Sequence, residues 1–495
     1  MWGRRLHLMK AKRLALLCAV IPLVALLALP LLPQVRQSQA LDPGSRAGAR
    51  NAFLEGRPFI QIPGPNPILT SGRKGEWDES VIEACDVIKD FETYYFYYHG
   101  VPKDTKGWPG GGYRVGLATA KHPLGPWTKY GAEPVLTLGP EGSWEDRSVA
   151  CAFILKEAPD KFYMWYSGGG RSKKGWSIGL ATASKPEGPW KKYGKNPLIE
   201  DFGYVGGVVK YQGKYHLYTE HPIGSTAPDY GPIALATADS PEGPWTIYPG
   251  NPVIPAGERG AWDDGGYSEA KVTFWDGVFH IFYGAAKEYK PRMLTRESIG
   301  YAYSFDGTHF IKYGGNPVAR REANPNAAAF SEVHTLFEPP FVYAFHTLRY
   351  IDEQKAPMGR SNIEDLGVQV LAFQPSFRLP MPVLNLNSLA EGASTKLADC
   401  PPISLESVSH VSLTAEASYA QGARAGMRVR VRSSPDGMNF DTTDVQVFEN
   451  DFRPGARCVK TVDLNARVRF IKVIVENLDK SSSLSNVKIT ATLGS

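Results

Sequence analysis

The sequence predicts an all-β chain: a five-bladed β-propeller followed by a small β-sandwich. Three observations carry that expectation. A short phrase recurs five times between Asn66 and Val318, an aromatic run of strand length sits in each recurring unit, and the composition changes after Pro380. Strand-length runs rich in Val, Ile, Tyr and Phe, with no long 3.6-period stretch, argue against helical repeats. A β-solenoid needs shorter and more uniform units, whereas four strands repeated around an axis make a propeller.

In chain order, residues 1–40 read as a secretory signal. A basic stretch ending at Arg13 precedes the apolar run Leu14 to Leu32, and Ser38-Gln39-Ala40 supplies the small residues of a cleavage site. Pro22 and Pro30 interrupt the run, as a permanent spanning helix would not favour. Secretion or delivery to a periplasm is therefore expected, with a membrane anchor as the alternative if the segment stays uncleaved. This leader also holds the excess positive charge. The whole chain carries +5, and the first 40 residues hold six Lys or Arg and no acid, so the exported body is near neutral. A near-neutral body gives no reason to expect nucleic acid as a partner, because that binding rests on basic patches that neutralise phosphate.

Residues 41–378 form the propeller of this reading. Asn66-Pro67-Ile68-Leu69, Glu133-Pro134-Val135-Leu136, Asn196-Pro197-Leu198-Ile199, Asn251-Pro252-Val253-Ile254 and Asn316-Pro317-Val318 recur at intervals of 55 to 67 residues. Gly116-Leu117-Ala118-Thr119-Ala120 leading to Gly125-Pro126-Trp127 stands ahead of one of them, and equivalents occur at 179–190 and 234–245. The aromatic runs are Tyr94 to Tyr98, Phe162 to Tyr166, Tyr215 to Tyr218, Phe279 to Tyr283 and Phe341 to Phe345. Each unit thus reads as an apolar strand, an aromatic strand, a Gly-Leu-Ala-Thr strand and a short strand after the Trp, divided by Gly, Pro and Asp-Gly turns.

Residues 379–402, rich in Pro, Asn and Ser, read as a linker, and residues 403–495 as a β-sandwich with alternating strands such as Met427 to Arg432. In an exported chain Cys400 and Cys458 are a plausible pair. Cys85 and Cys151 occupy matching places in successive repeats, either bridged or simply buried. No Cys/His cluster has zinc spacing, so no metal is assigned and no cofactor is required, although a propeller channel leaves room for a structural cation.

The units ending in Gly-Pro-Trp and Asn-Pro-Val-Ile resemble the five-bladed glycoside hydrolases of the family 43, 32, 68 and 117 group and the related family 130 phosphorylases, over about residues 60–375. The C-terminal phrase Ser434-Pro435-Asp436-Gly437 through Phe440 is similar to discoidin-like carbohydrate-binding modules. What the first resemblance implies is a carbohydrate substrate and a set of carboxylates, one from the innermost strand of each of several blades, meeting at one mouth of the channel. Glu269, followed by an apolar stretch and the aromatic strand, matches the family's general acid, although Ala270 and Lys271 replace Gly-Pro. The general base of the family falls on Ala84, a departure that passes the role to Glu83 or Asp86 on either side. Asp146 is a third acid, with Arg147 as its ion-pair partner, while the corresponding third-blade slot reads Gly206-Gly207 and leaves only Glu200-Asp201 nearby.

Ends of the aromatic strands return to the same mouth, which makes His99, Ser167, Glu220, His221 and His346 substrate-binding candidates. Ser331-Glu332-Val333-His334 echoes Tyr267-Ser268-Glu269 and adds Glu332 and His334. The chemistry needs one protonated carboxyl to give a proton to the leaving oxygen and one ionised carboxylate to activate water or attack the anomeric carbon. Two alternatives to a hydrolase stay open. One is a phosphorylase, for which Lys271, Arg292 and Arg296 offer phosphate-binding charge; the other is a non-catalytic carbohydrate-binding propeller, suggested by the missing first-blade base.

Overall fold

The computed structural model describes residues 59–102, 112–171, 175–220, 231–285, 298–320, 327–350, 363–374 and 376–495. The leader at 1–40, His221, Arg292 and Arg296 lie outside the described residues. All that is described falls within one compact unit, Ala52–Ser495. It is all β, with a single 3₁₀ turn at Leu397–Asp399 and no α-helix among the described residues.

After β1 (Ile60–Pro63), the first sheet runs β2 (Val81–Asp90), β3 (Thr93–Val101), β4 (Arg114–Ala120) and β5 (Thr128–Lys129). The second is β6 (Ser148–Ala158), β7 (Lys161–Gly169), β8 (Ser177–Ala183) and β9 (Lys191–Lys192). The third is β10 (Tyr204–Tyr211), β11 (Lys214–Glu220), β12 (Ile233–Ala238) and β13 (Thr246–Ile247), and the fourth β14 (Val272–Trp275), β15 (Val278–Ala285), β16 (Ser298–Ser304) and β17 (Ile311–Lys312). The last comprises β18 (Ala327–Glu338), β19 (Phe341–Tyr350) and β20 (Ile363–Ala372), with β1 as its outer strand. The sequence units omit that exchange. The strand that completes the last sheet comes from the start of the chain, pairing Ile60 to Pro63 antiparallel with Gln369 to Ala372.

Neighbouring sheets touch through their first strands. β2 contacts β6, β6 contacts β10, β10 contacts β14, and β18 contacts both β15 and β2, which closes the propeller. The approach is close at Gly206 in β10, where a Cβ would lie 2.3 Å from the carbonyl oxygen of Ala270. The glycines at 206 and 207 are therefore a packing requirement of the third sheet.

The recurring phrases are structural. Asn66, Asn196, Asn251 and Asn316 each hold one residue of a third strand, or of β20, by its N–H and its C=O together: Val368, Leu180, Leu235 and Tyr301. A second repeat escaped the sequence reading. Gly75-Glu76-Trp77-Asp78-Glu79, Gly142-Ser143-Trp144-Glu145-Asp146 and Gly260-Ala261-Trp262-Asp263-Asp264 share a pattern, and in each the Trp stacks on the tyrosine of the neighbouring aromatic strand, Tyr98, Tyr166 or Tyr283. The first acid of each pair meets a lysine of the outer strand: Asp78 with Lys129, Glu145 with Lys192 and Asp263 with Lys312. The third sheet lacks the Trp-acid phrase and has Ile247 where the lysine would stand.

The sandwich packs two four-stranded sheets. One is β21 (Arg378–Leu389), β28 (Leu484–Gly494), β23 (His410–Tyr419) and β26 (Arg457–Leu464); the other is β22 (Ile403–Ser404), β27 (Phe470–Asn477), β24 (Met427–Ser434) and β25 (Gln446–Glu449). Much of the expected linker is thus a strand: β21 pairs with β28 from Arg378 to Leu389. Its alternation buries Leu379, Met381 and Val383 and turns the residues between them outward, a pattern that the Pro and Asn content disguised. Cys400 and Cys458 are free thiols, as are Cys85 and Cys151, so the expected C-terminal pair is not formed.

One apolar cluster joins the two parts. It runs from Phe96, Trp127 and Phe345 through Phe341, Phe377, Leu379 and Met381 into Val411 and Leu413 of the sandwich. Ending the chain after Gln374 strips that cover from Phe341 and its neighbours, and exposed apolar area of this kind favours aggregation. The truncated protein is expected to be insoluble or to melt well below the full chain. A soluble truncate with an unchanged melting temperature, measured by calorimetry, would overturn the sandwich's role as a brace.

Candidate active site

Three glutamates from three sheets meet with a histidine and two cysteines where the first strands bulge. β2 carries one extra residue between Ala84 and Val87, β6 between Ala150 and Phe153, and β18 between Ser331 and His334. A bulge re-aims the side chains around it. Glu83 and Glu269 are each 7% exposed and Glu332 4%, so all three are nearly enclosed.

Hydrogen bonds fix their orientations. The backbone N–H of Cys151 donates to His99 Nδ1 at 3.2 Å, so that nitrogen is an acceptor and the ring proton sits on Nε2. Nε2 then donates to Glu83 Oε2 at 2.6 Å, which leaves Glu83 as the carboxylate partner. Cys85 Sγ lies 3.1 Å from the same Nδ1. On the other side the Cys151 thiol donates to Glu269 Oε1 at 3.0 Å. Ser331 donates to Glu332 Oε2 at 2.6 Å, and the Glu332 backbone N–H donates to Ser268 Oγ at 3.0 Å.

Electrostatics separate the carboxyls. Burial first, and the nearby Glu332 charge second, push Glu269 up to about 7, against weaker opposing pulls, His99 before the Cys151 thiol. Glu83 instead accepts a proton donor from a buried ring, which favours its ionised form. Two carboxyls with opposite protonation preferences in one cleft can divide acid and base roles.

Other expected residues have different duties. Asp86 is fully buried and is not at the cleft: Lys271 Nζ lies 2.7 Å from Oδ1, and the Ile154 N–H donates to Oδ2 at 2.9 Å. Lys271 donates its second bond to the Val87 carbonyl at 3.1 Å, so two of its three donors are held within the buried pair. Asp146 is a turn acid. Its oxygens accept from the N–H groups of Gly142 and Arg171, both at 2.8 Å, as Glu79 accepts from Gly75 and Asp264 from Gly260 in the other copies of the Trp-acid phrase. Those backbone donors hold Asp146 below the usual carboxylate range, and they replace the expected pairing with Arg147, which points to solvent.

His346 is a core residue: Nδ1 donates to the Thr347 carbonyl at 2.9 Å, its ring lies on Phe330, and burial lowers it to about 4. Ser167 bridges sheets by donating to the Gly203 carbonyl and accepting from the Val205 N–H. His334 is fully buried two residues beyond Glu332 and is held well below the usual histidine range by burial. Glu220 is buried at the end of β11. Among the described residues no group of three or more His, Cys, Asp or Glu side chains is arranged to hold a metal ion.

Sequence reasoning missed Cys85 and Cys151 as site residues. Their matching places in two repeats were the available signal, because equivalent bulge positions of neighbouring first strands face one cleft.

No family model matches the chain, and no curated protein matches it. Solved structures of similar fold include glycoside hydrolases. A thermostable family 43 glycoside hydrolase is 18% identical, with 61% of this chain and 91% of that one covered at a TM-score of 0.44. A family 117 glycoside hydrolase produced by the marine bacterium Zobellia galactanivorans is 17% identical, with 64% and 92% covered at 0.44. A glycosyl hydrolase from Bacteroides ovatus is 14% identical, with 63% and 92% covered at 0.46. At these identities the likeness is one of fold.

Proposed function

We propose that this chain is an exported glycoside hydrolase acting on a poly- or oligosaccharide. The observation that carries the reading is the convergence of Glu83, Glu269 and Glu332 from separate sheets, with Glu269 disposed to hold a proton near neutrality and Glu83 disposed to be ionised. In this reading Glu269 protonates the leaving oxygen. Glu83, oriented by His99, either takes the proton of an attacking water or attacks the anomeric carbon itself. A carboxyl separation of about 6.5–9.5 Å goes with inversion and about 5–5.5 Å with retention, so the anomer released first reports which role Glu83 plays. Glu332 adds the like charge that keeps Glu269 protonated.

Phosphorolysis is less well supported, since Lys271, its proposed phosphate ligand nearest the acid, is committed to Asp86. Product analysis on a panel of polysaccharides and aryl glycosides tests the reading. Release of sugar from at least one member, with water as acceptor, is expected; binding without turnover across the panel would favour a non-catalytic carbohydrate-binding propeller. On a cleaved substrate, Glu83→Gln is expected to lower kcat at least about a hundredfold with little change in melting temperature. A mild Glu83→Gln phenotype would move the base elsewhere.

A further inference from the structure

Seven non-glycine residues among those described have a positive φ. Phe91, Gln212 and Asp276 sit in the hairpin turns between the first two strands of their sheets, Asp201 lies in a loop, and Asn486 belongs to the sandwich. Within the propeller strands only two remain, Cys151 at 50° and Glu332 at 47°. Such a conformation is unfavourable for a residue bearing a Cβ and persists where its surroundings impose it. Both lie at the bulge of a first strand, and both act on Glu269, one by a thiol hydrogen bond and the other by its charge.

We infer that Cys151 is a positioning residue of the active site: its strained backbone aims the thiol at Glu269 while its own N–H fixes the tautomer of His99, so one residue orients both members of the acid and base pair. The inference rests on the reading of Glu269 as the proton donor. The bulge of β10 carries Gly206 without a positive φ, so the left-handed backbone at Cys151 is not a general requirement of a bulged first strand.

The groups acting on Glu269 are Glu332 from β18, itself bonded by Ser331, Cys151 from β6 and His99 from β3, which in turn meets Glu83 and Cys85 of β2. Of these, only the thiol donates a side-chain hydrogen bond to Glu269 among the contacts described. A donor to a carboxylate favours the ionised form, so removing it raises the proton affinity of Glu269. The Ala, Gly and Ser variants at 151 all keep the backbone N–H that bonds His99 Nδ1, so they isolate the thiol.

Infrared titration of the protonated Glu269 carboxyl, assigned by the band lost in Glu269→Gln, reads that affinity without substrate. The midpoint should lie near 7 in the parent. It should rise by at least about half a unit, roughly a threefold change in proton affinity, in Cys151→Ala and Cys151→Gly. Cys151→Ser, which retains a donor, should stay at or below the parent. With any aryl glycoside the panel shows to be cleaved, the alkaline limb of kcat/KM should move upward by the same amount. Should Cys151→Ala fold poorly, Cys151→Gly supplies the measurement, because glycine tolerates the positive φ. Unchanged midpoints in the Ala and Gly variants would overturn the inference. A panel with no cleaved glycoside would defeat the functional reading alone, and the carboxyl titration would still decide whether Cys151 governs Glu269.

Discussion

Glu269→Gln is expected to leave the propeller folded and to lower glycoside turnover at least about a hundredfold, the usual scale of general acid catalysis. Glutamine keeps the shape and still accepts from the Cys151 thiol, but has no proton to give. In the parent protein the acid works only while protonated, so kcat/KM should fall as pH rises through about 7. Stability should follow the same titration. The ordinary glutamate value is 4.5 and the folded value about 7, so between them the folded state holds a proton that the unfolded chain has released. Stability therefore declines as pH rises across that window, by on the order of 3 kcal/mol if the full difference is realised. The Gln variant cannot titrate and should melt higher than the parent above pH 7. Retained activity in that variant would remove Glu269 from the chemistry.

Asp86→Asn should act in the opposite sense, on stability and not on the chemical step. Its carboxylate joins three sheets, through Asp86 itself in the first, the Ile154 N–H in the second and Lys271 beside the fourth. Removing the anion leaves the Lys271 ammonium buried without a counter-charge and sets an amide group opposite the Ile154 N–H, and breaking a buried pair in this way costs about 3–5 kcal/mol. A large drop in melting temperature is expected, with kcat per folded molecule close to the parent at low temperature. Asp86→Leu combined with Lys271→Met, which removes both charges, should recover much of the loss. A variant as stable as the parent but inactive would return Asp86 to the candidate base position.

The fold was legible because its repeats serve the backbone. Each Asn that clasps a strand by N–H and C=O together must recur in nearly every sheet, and does so as the Asn-Pro phrase. The site was legible in part. Glu269 stood out as an acid leading into an apolar strand, and Glu83 flanked an expected slot. Asp86, three residues further along, could not be told from it by spacing, because one extra residue in β2 changes which side chains face the cleft. Asp146 drew attention as an acid beside an arginine, but its signal belonged to the Trp-acid phrase, whose second acid satisfies a turn. Glu332 and His346 looked alike as polar residues near one mouth, yet one acts on Glu269 by its charge and the other packs on Phe330. Sequence cannot report such facing when side chains are set by bulges and not by simple alternation.

The clasp between β1 and β20 bears on how the chain is made. Ile60 must wait for Ala372 to be synthesised before its partner exists, so the ring stays open through most of translation. Contacts of such long sequence separation are slow to form. Until then β1 has no strand to pair with, and such an unpaired strand invites association with another chain. The sandwich strand β21 begins only six residues after β20 ends, so the brace arrives as the ring becomes able to close. A nascent propeller is thus most exposed to capture by other chains, or by holding factors, in the interval just before its last strand and its brace emerge together.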